Sequence, residues 1–179
     1  MRFRMLFPVM AALSIIACSK KNATNPEVVS VEDLMVKNNE ISGWNRVGEG
    51  WVASSESDLF NHIDGGAPLY TRHGFVEAAD QGYSGKVLQD PVTVDLMVFD
   101  QGNSTNAQEL FNEVSLSLTN SETWQSVNLK EAKIERFPLS ITIIGWKSKY
   151  YASLTITSNL NESLEVLKTF ADNVGSKIQ

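Results

Sequence analysis

The stretch "VTVDLMVFDQGNSTNAQELFNEVSLSL" (residues 92–118) decides the fold class. In its first nine residues Val92, Val94, Leu96 and Val98 share one face of an extended chain, while Met97 and Phe99 partly cover the other. A period of two with β-branched residues predicts a strand. Beyond Asp100 the period changes. Ala107, Leu110, Phe111, Val114 and Leu118 fall at i, i+3, i+4, i+7 and i+11, which is the apolar stripe of an amphipathic helix. Thr105 and Gln108 can form a capping box at its start.

Outward from this core the same two periods recur. Upstream, "FVEAADQGY" (75–83) reads as a strand and "GKVLQDP" (85–91) as a connection. Ser55 opens a helix carrying Leu59, Phe60 and Ile63. "SGWNRVGEGWV" (42–52) reads as a strand or hairpin, and Ser30 to Asp33 carry a modest capping signal for a short helix ending near Asn38. Downstream, "LKEAKIERF" (129–137) is a strand. "LSITIIGW" (139–146) and "KYYASLTIT" (149–157) form an antiparallel hairpin around Lys147 and Ser148. A last helix runs from about Leu160 to Lys177, with Leu164, Leu167, Phe170, Ala171 and Val174 in its stripe. The expectation is an α+β fold: an antiparallel sheet of about five strands packed by two or three helices.

The 179 residues suit one domain after removal of a leader. A chain of this size buries a core without metals or disulfides. Fifteen basic side chains face 21 acidic ones, for a formal net charge of −6. Loss of Arg2 and Arg4 with a leader makes the remainder more acidic still. An acidic body repels phosphate backbones, which argues against nucleic acid as a partner. It also gains no electrostatic help at an anionic bilayer.

The first eighteen residues supply another means of reaching a membrane. Arg2 and Arg4 precede a mostly apolar run, Met5 to Ala17, too short to span a bilayer, which needs ~20 apolar residues. It fits a secretory leader over residues 1–17. Ile15-Ile16-Ala17-Cys18 resembles the lipobox of bacterial lipoproteins, in which the cysteine thiol receives a diacylglycerol and the peptide is cut before it. The thiolate is the nucleophile that such chemistry needs. Buried acyl chains contribute ~0.8 kcal/mol per CH₂, and two of them anchor stably. Cys18 is the one cysteine, so no other thiol is left for disulfides, zinc or nucleophilic catalysis. Ser19 in second place resembles the outer-membrane address of enteric lipoproteins, facing the periplasm. Residues 18–40 then read as lipidated cysteine, polar tether ("SKKNATNPE", 19–27) and short helix, and residues 41–179 as one α+β domain.

The unusual element is "LFNHIDGGAPLYTRHGF" (59–75). Phe60, Ile63, Ala67 and Tyr70 follow a helical period, but Gly65 and Gly66 each cost ~1 kcal/mol in a helix interior. Pro68 clashes with the carbonyl of residue 64. The helix must therefore break, with Pro68 opening a second one, Asp64 placed to cap the freed N–H groups, and His73-Gly74 ending it. One reading is structural: the glycines allow close approach, Asp64 caps and Tyr70 packs. The other is functional: Asp64, Gly65, Gly66 and Tyr70, with His62 or His73, line a ligand pocket. The spacing matches no metal motif such as HExxH, so no metal or cofactor is expected.

These residues carry a resemblance. Gly43-Trp44, the run Ile63-Asp64-Gly65-Gly66-Ala67, Tyr70, Gly74-Phe75 and Tyr83 resemble the uncharacterised bacterial family DUF6599 over roughly Ile41 to Val174. His73 replaces that family's usual aromatic, and Trp51 stands where a tyrosine is more usual. The resemblance implies a secreted or lipid-anchored bacterial protein and brings no activity with it.

No P-loop, dinucleotide fingerprint or nucleophile elbow is present; in "GYSGK" (82–86) the glycine falls one residue early. Asp95 and Asp100 read as solvent-facing or turn residues. Trp124, Trp146, Tyr150 and Tyr151 can form either a binding platform or core packing. The reading is a lipid-anchored envelope protein acting as a non-enzymatic binding or interaction module. The alternatives are a hydrolase centred on Asp64 and a histidine, and an accessory subunit of an envelope complex.

Overall fold

A computed structural model describes residues 29–179; Cys18, the leader and the polar tether lie outside these residues. Seven strands form one antiparallel sheet in the order β1-β2-β3-β7-β6-β5-β4. They are β1 (Asn45–Ala53), β2 (Glu77–Val87), β3 (Asp90–Asp100), β4 (Ser121–Trp124), β5 (Glu131–Arg136), β6 (Ile141–Lys147) and β7 (Tyr150–Ile156). The helices are α1 (Val31–Leu34), α2 (Glu56–Ile63), α3 (Ala67–Thr71), α4 (Ser104–Ser117) and α5 (Asn161–Lys177), with a 3₁₀ turn at Asp64–Gly66. The α+β class is as expected, but the sheet has seven strands where about five were expected.

Strand β4 was not expected at all, and β2 and β3 are longer than expected. The segment 85–91 is not a connection: β2 and β3 continue through it as a hairpin with a two-residue turn, Leu88-Gln89, pairing Lys86 with Pro91. A proline is tolerated there because β3 meets β7 only from Val94 onward, so the missing N–H is not needed on that side. Strand β4, "SETW", is a short edge strand with no apolar alternation to announce it.

One sheet face, here face A, carries Val94, Leu96 and Val98 from β3 with Tyr150, Ala152, Leu154 and Ile156 from β7, all buried under α1 and α5. The stripe of α5 packs there as its period requires, with Leu167, Phe170, Ala171 and Val174 fully buried. Val31, Leu34, Met35 and Val36 join the same core. The short helix expected ahead of residue 41 thus packs into the core of the sheet. Tyr150 donates its hydroxyl to the Val29 carbonyl (2.5 Å), and the Val31 N–H donates to Glu77 (3.1 Å). Both contacts fix the start of the body at one end of the sheet, the tether end. The opposite end holds the Leu88-Gln89 turn, the β5–β6 turn and the start of α5, and is the loop end.

Face B carries Ala78, Phe99, Tyr151 and Trp146 under α2, α3 and α4. Ala107, Leu110 and Phe111 of α4 pack there; Asn103, not Thr105, supplies the cap, accepting from the Asn106 N–H at 3.0 Å. Trp146, Tyr150 and Tyr151 are buried, so the aromatic set packs the core and does not form an open platform.

Candidate functional site

The break at "IDGG" forms as the sequence requires, but its satisfaction differs. The Asp64 N–H donates to the Phe60 carbonyl, closing α2, and the Ala67 N–H donates to the Asp64 carbonyl, opening α3 with Pro68 in its first turn. The main chain thus pairs its own groups, and neither the 3₁₀ turn nor α3 has a side-chain cap. The expected capping role of Asp64 is corrected accordingly: its carboxylate is exposed and has no hydrogen-bond partner among the described residues. Its backbone sits at φ 42° and ψ −122°, a region that glycine occupies readily and other residues do not. Such a conformation costs on the order of 1–3 kcal/mol. Gly65 and Gly66 lie on the surface; open space surrounds Gly65, and a Cβ at Gly66 would make only an ordinary contact with Ile63 at 3.9 Å.

The residues beneath this turn follow from register. Trp51 of β1 lies opposite Asp80 of β2, which lies opposite Met97 of β3 and then Ser153 of β7. The next row on face B is Val47, Gly82, Asp95 and Thr155. His62, at the end of α2, stacks on Trp51 with ring centres 4.5 Å apart and planes 6° apart. The Asp64-Gly65-Gly66 turn follows at once, so it lies where the helical cover of face B stops. Beyond it the sheet is a polar floor on which Thr142 and Thr155 share a hydrogen bond (2.9 Å), as do Thr93 and Thr157 (3.1 Å).

Asp80 and Asp95 are diagonal neighbours on that floor. Loss of hydration, then the charge of Asp95 and a hydrogen bond with it, push the Asp80 carboxyl from 3.8 up to about 6. Asp95 is also raised, again chiefly by lost hydration, with the bond from Asp80 opposing the shift. A carboxyl–carboxylate bond needs one shared proton, so the pair holds a proton into the mildly acidic range.

Strand alternation alone puts Asp80 on the same face as Ala78 and Asp95 on the same face as Met97. The pairing itself depends on the β2–β3 register, which is set by the hairpin through residues 85–91.

The sign of the resulting pH dependence is definite. Between the ordinary value and about 6 the folded chain keeps a proton that the unfolded chain releases, so stability falls as pH rises through that window. Asp80→Asn imitates the protonated form. It is expected to raise stability by about 1 kcal/mol at pH 7, a figure discounted because the pair faces solvent. The gain should vanish near pH 4; urea denaturation at both pH values measures it.

The remaining candidates do not join the turn. Tyr70 stacks on Phe99 with ring centres 3.8 Å apart and planes 4° apart, and burial raises its hydroxyl pKa. His73 sits at the far end of α3, where its Nε2 meets Glu113 of α4 at 2.7 Å. Arg72 donates to the same carboxylate through Nε and Nη2. Arg72 first, then His73, hold the Glu113 carboxyl below its usual range. This cluster pins α3 to α4. Structure therefore brings together His62, Asp64, Gly65 and Gly66, and leaves Tyr70 and His73 as packing and pinning residues.

Replacement of Asp64 by glycine relieves the strained backbone and removes no bond. A gain of about 1 kcal/mol is expected, after the offsetting entropy of a more flexible unfolded chain. Asp64→Ala keeps the strain and should change stability by less than about 0.5 kcal/mol. Thermal melts of the two variants separate the contributions.

Comparison with protein-family models and with curated proteins finds no match. Among solved structures, the fold is similar to the extracellular domain of PknH from Mycobacterium tuberculosis, with a TM-score of 0.50 at 10% identity over 82% of this chain and 95% of that one. At that identity the likeness is one of fold alone.

Proposed function

We propose that the chain is a lipid-anchored protein of the bacterial envelope, similar to DUF6599 proteins, whose folded body is a non-catalytic binding or interaction module. The observation that carries this reading is the run Ile15-Ile16-Ala17-Cys18 behind a short basic and apolar leader. Tyr150 and Glu77 hold residues 29–31 at one end of the sheet, ten residues downstream of Ser19. A cysteine acylated at position 18 would then hang a water-facing body from a membrane by one pole. No helix among the described residues is long and apolar enough to cross a bilayer, so acyl chains supply a retention that those helices do not. The hydrolase alternative requires Asp64 to converge with His62 or His73 in a cleft. His73 is held by Glu113, and His62 is stacked on Trp51 beside Asp58, while the Asp64 carboxylate bonds to neither, so among the described residues that alternative has no such pair.

Cys18→Ser, or inhibition of the lipoprotein signal peptidase with globomycin, tests the anchor. Loss of cleavage before residue 18 is expected, together with at least a tenfold fall in the mature protein retained in washed membranes. Density-gradient separation of the wild-type fractions should find it with the outer membrane, as the Ser19 address implies. Unchanged processing and retention would overturn the reading.

A further inference from the structure

Strand β1 breaks its pairing in mid-course. The register passes from Val47 opposite Gly82 to Trp51 opposite Asp80, so Gly48, Glu49 and Gly50 stand against Gln81 alone. A bulge of this kind bends the strand and re-aims the side chains beside it. Here it needs glycine twice. Gly48 has φ 69°. A Cβ at Gly50 would lie 2.5 Å from the Asp80 carbonyl oxygen and 2.7 Å from Gln81 Oε1. Beside the bulge lies a pocket of about 130 Å³ between β1, β2 and α1, with Glu32, Arg46, Gly50 and Gln81 in its walls. That is the space of about four waters.

Three of these side chains have bonding capacity left over. Gln81 occupies a position where face A is otherwise apolar. It lies opposite Leu96, alternates with Ala79 and Tyr83, and is 7% exposed. Its Nε2 donates to the carbonyls of Val47 (3.1 Å) and Gly82 (2.9 Å), but its Oε1 accepts from no donor among the described residues. At such a depth an acceptor without a donor is costly. Arg46 is half-buried. Its Nε donates to the Val36 carbonyl (2.8 Å), which also accepts from the Tyr83 hydroxyl (3.1 Å), so the guanidinium is held in place. Arg72 has Glu113 for a partner, whereas no carboxylate among the described residues pairs with Arg46. Glu32, exposed on α1, is in no ion pair among them either. Two opposite charges thus face one pocket without meeting.

We propose that this pocket binds a small zwitterion of the α-amino-acid type. Its carboxylate accepts from the guanidinium of Arg46, whose fork of donors matches it. Its ammonium donates to the Glu32 carboxylate and to Gln81 Oε1. A simple anion would leave Glu32 and Oε1 without a donor, and a simple cation would leave Arg46 without an acceptor. A molecule carrying both charges meets all three. The site gives a ligand class to the binding module proposed above and rests on that reading, but it does not depend on the anchor at Cys18.

The test is isothermal titration calorimetry of the full-length protein in detergent at neutral pH, with L-alanine, N-acetyl-L-alanine and L-alaninamide. Saturable one-to-one binding of alanine is expected. Acetylation removes the ammonium and amidation removes the carboxylate, and each should weaken binding at least about tenfold. Glu32→Gln, at an exposed position, should weaken alanine binding about tenfold at unchanged Tm. Arg46→Lys keeps the charge but not the fork and should weaken it about threefold, also without loss of Tm. No saturable heat with alanine, equal binding of the acetylated compound, or an alanine affinity indifferent to both substitutions would each overturn the site. A stability coupling between Glu32 and Arg46 in urea, without alanine binding, would show that the two charges serve only each other and would overturn it too. Membrane fractionation reads the anchor separately: absence of alanine binding in protein that stays with membranes counts against the pocket and not against Cys18.

Discussion

Trp44→Ala is expected to lower the stability of the folded body by about 4 kcal/mol, the range for deleting a buried aromatic. Trp44 is 3% exposed, meets Phe170 edge-on at 5.3 Å and an 85° angle, and covers Gly85. A Cβ at Gly85 would run into the indole, so the glycine is what lets the ring lie on β2. Truncation leaves a void bounded by a residue with no side chain to move into it, and the cost of a core deletion rises with the volume that cannot collapse. Domains of this size have roughly 5–15 kcal/mol in total, so the variant should unfold at much lower urea concentration. The contact predicts a coupling as well. Gly85→Ala alone should destabilise through the clash, whereas in the Trp44→Ala background the added methyl group partly fills the void. A double-mutant cycle by urea denaturation should therefore show a coupling of at least about 1 kcal/mol.

The second large effect is at the tether end. Asp100 is 4% exposed; its carboxylate accepts from Lys149 Nζ at 2.5 Å and from the Gly102 N–H at 2.8 Å. Lys149 belongs to the β6–β7 turn, so this ion pair ties two hairpins to the start of α4. Lys149→Met retains much of the aliphatic stem and removes the charge, leaving a buried carboxylate with one neutral donor. Breaking such a pair from one side costs about 3 kcal/mol. Lys149→Met combined with Asp100→Asn removes both charges and should regain most of that loss. Calorimetric melts at neutral pH distinguish the two variants. A double mutant as unstable as the single one would show that the cost lies in packing and not in the orphaned charge.

What the sequence made legible follows from how each element is stabilised. Helices α4 and α5 each bury one face, β3 buries one face along its whole length, and such burial writes a period into the chain. Val94, Leu96 and Val98, or Leu167, Phe170 and Val174, could therefore be assigned to the core directly. Elements held by other forces carry no such period. Strand β4 rests on main-chain pairing to β5. The four-residue α1 is too short to repeat, although Val31 and Leu34 are fully buried. At the "DGG" break the helix interruption was legible because it depends on backbone sterics, which are properties of glycine and proline themselves. The partner of each freed amide was not, because a carbonyl of any residue can accept in place of the Asp64 side chain. The Asp80–Asp95 pair depends on register across a turn that had to be located first.

The strand order carries a consequence for assembly of the chain. Six neighbouring pairs make up the sheet, and five of them join strands consecutive in sequence. Only β3 and β7 meet across a long separation, with Val98 opposite Ala152 and Val94 opposite Ile156. The protein is thus two antiparallel ribbons, residues 45–100 and 121–156, each able to zip locally, joined along a single seam. Closure of that seam carries the largest loop entropy in the sheet. It is also the natural line along which the protein could be split into two fragments that reassemble, with the cut between α4 and β4 where Leu118 to Asn120 cross from one ribbon to the other.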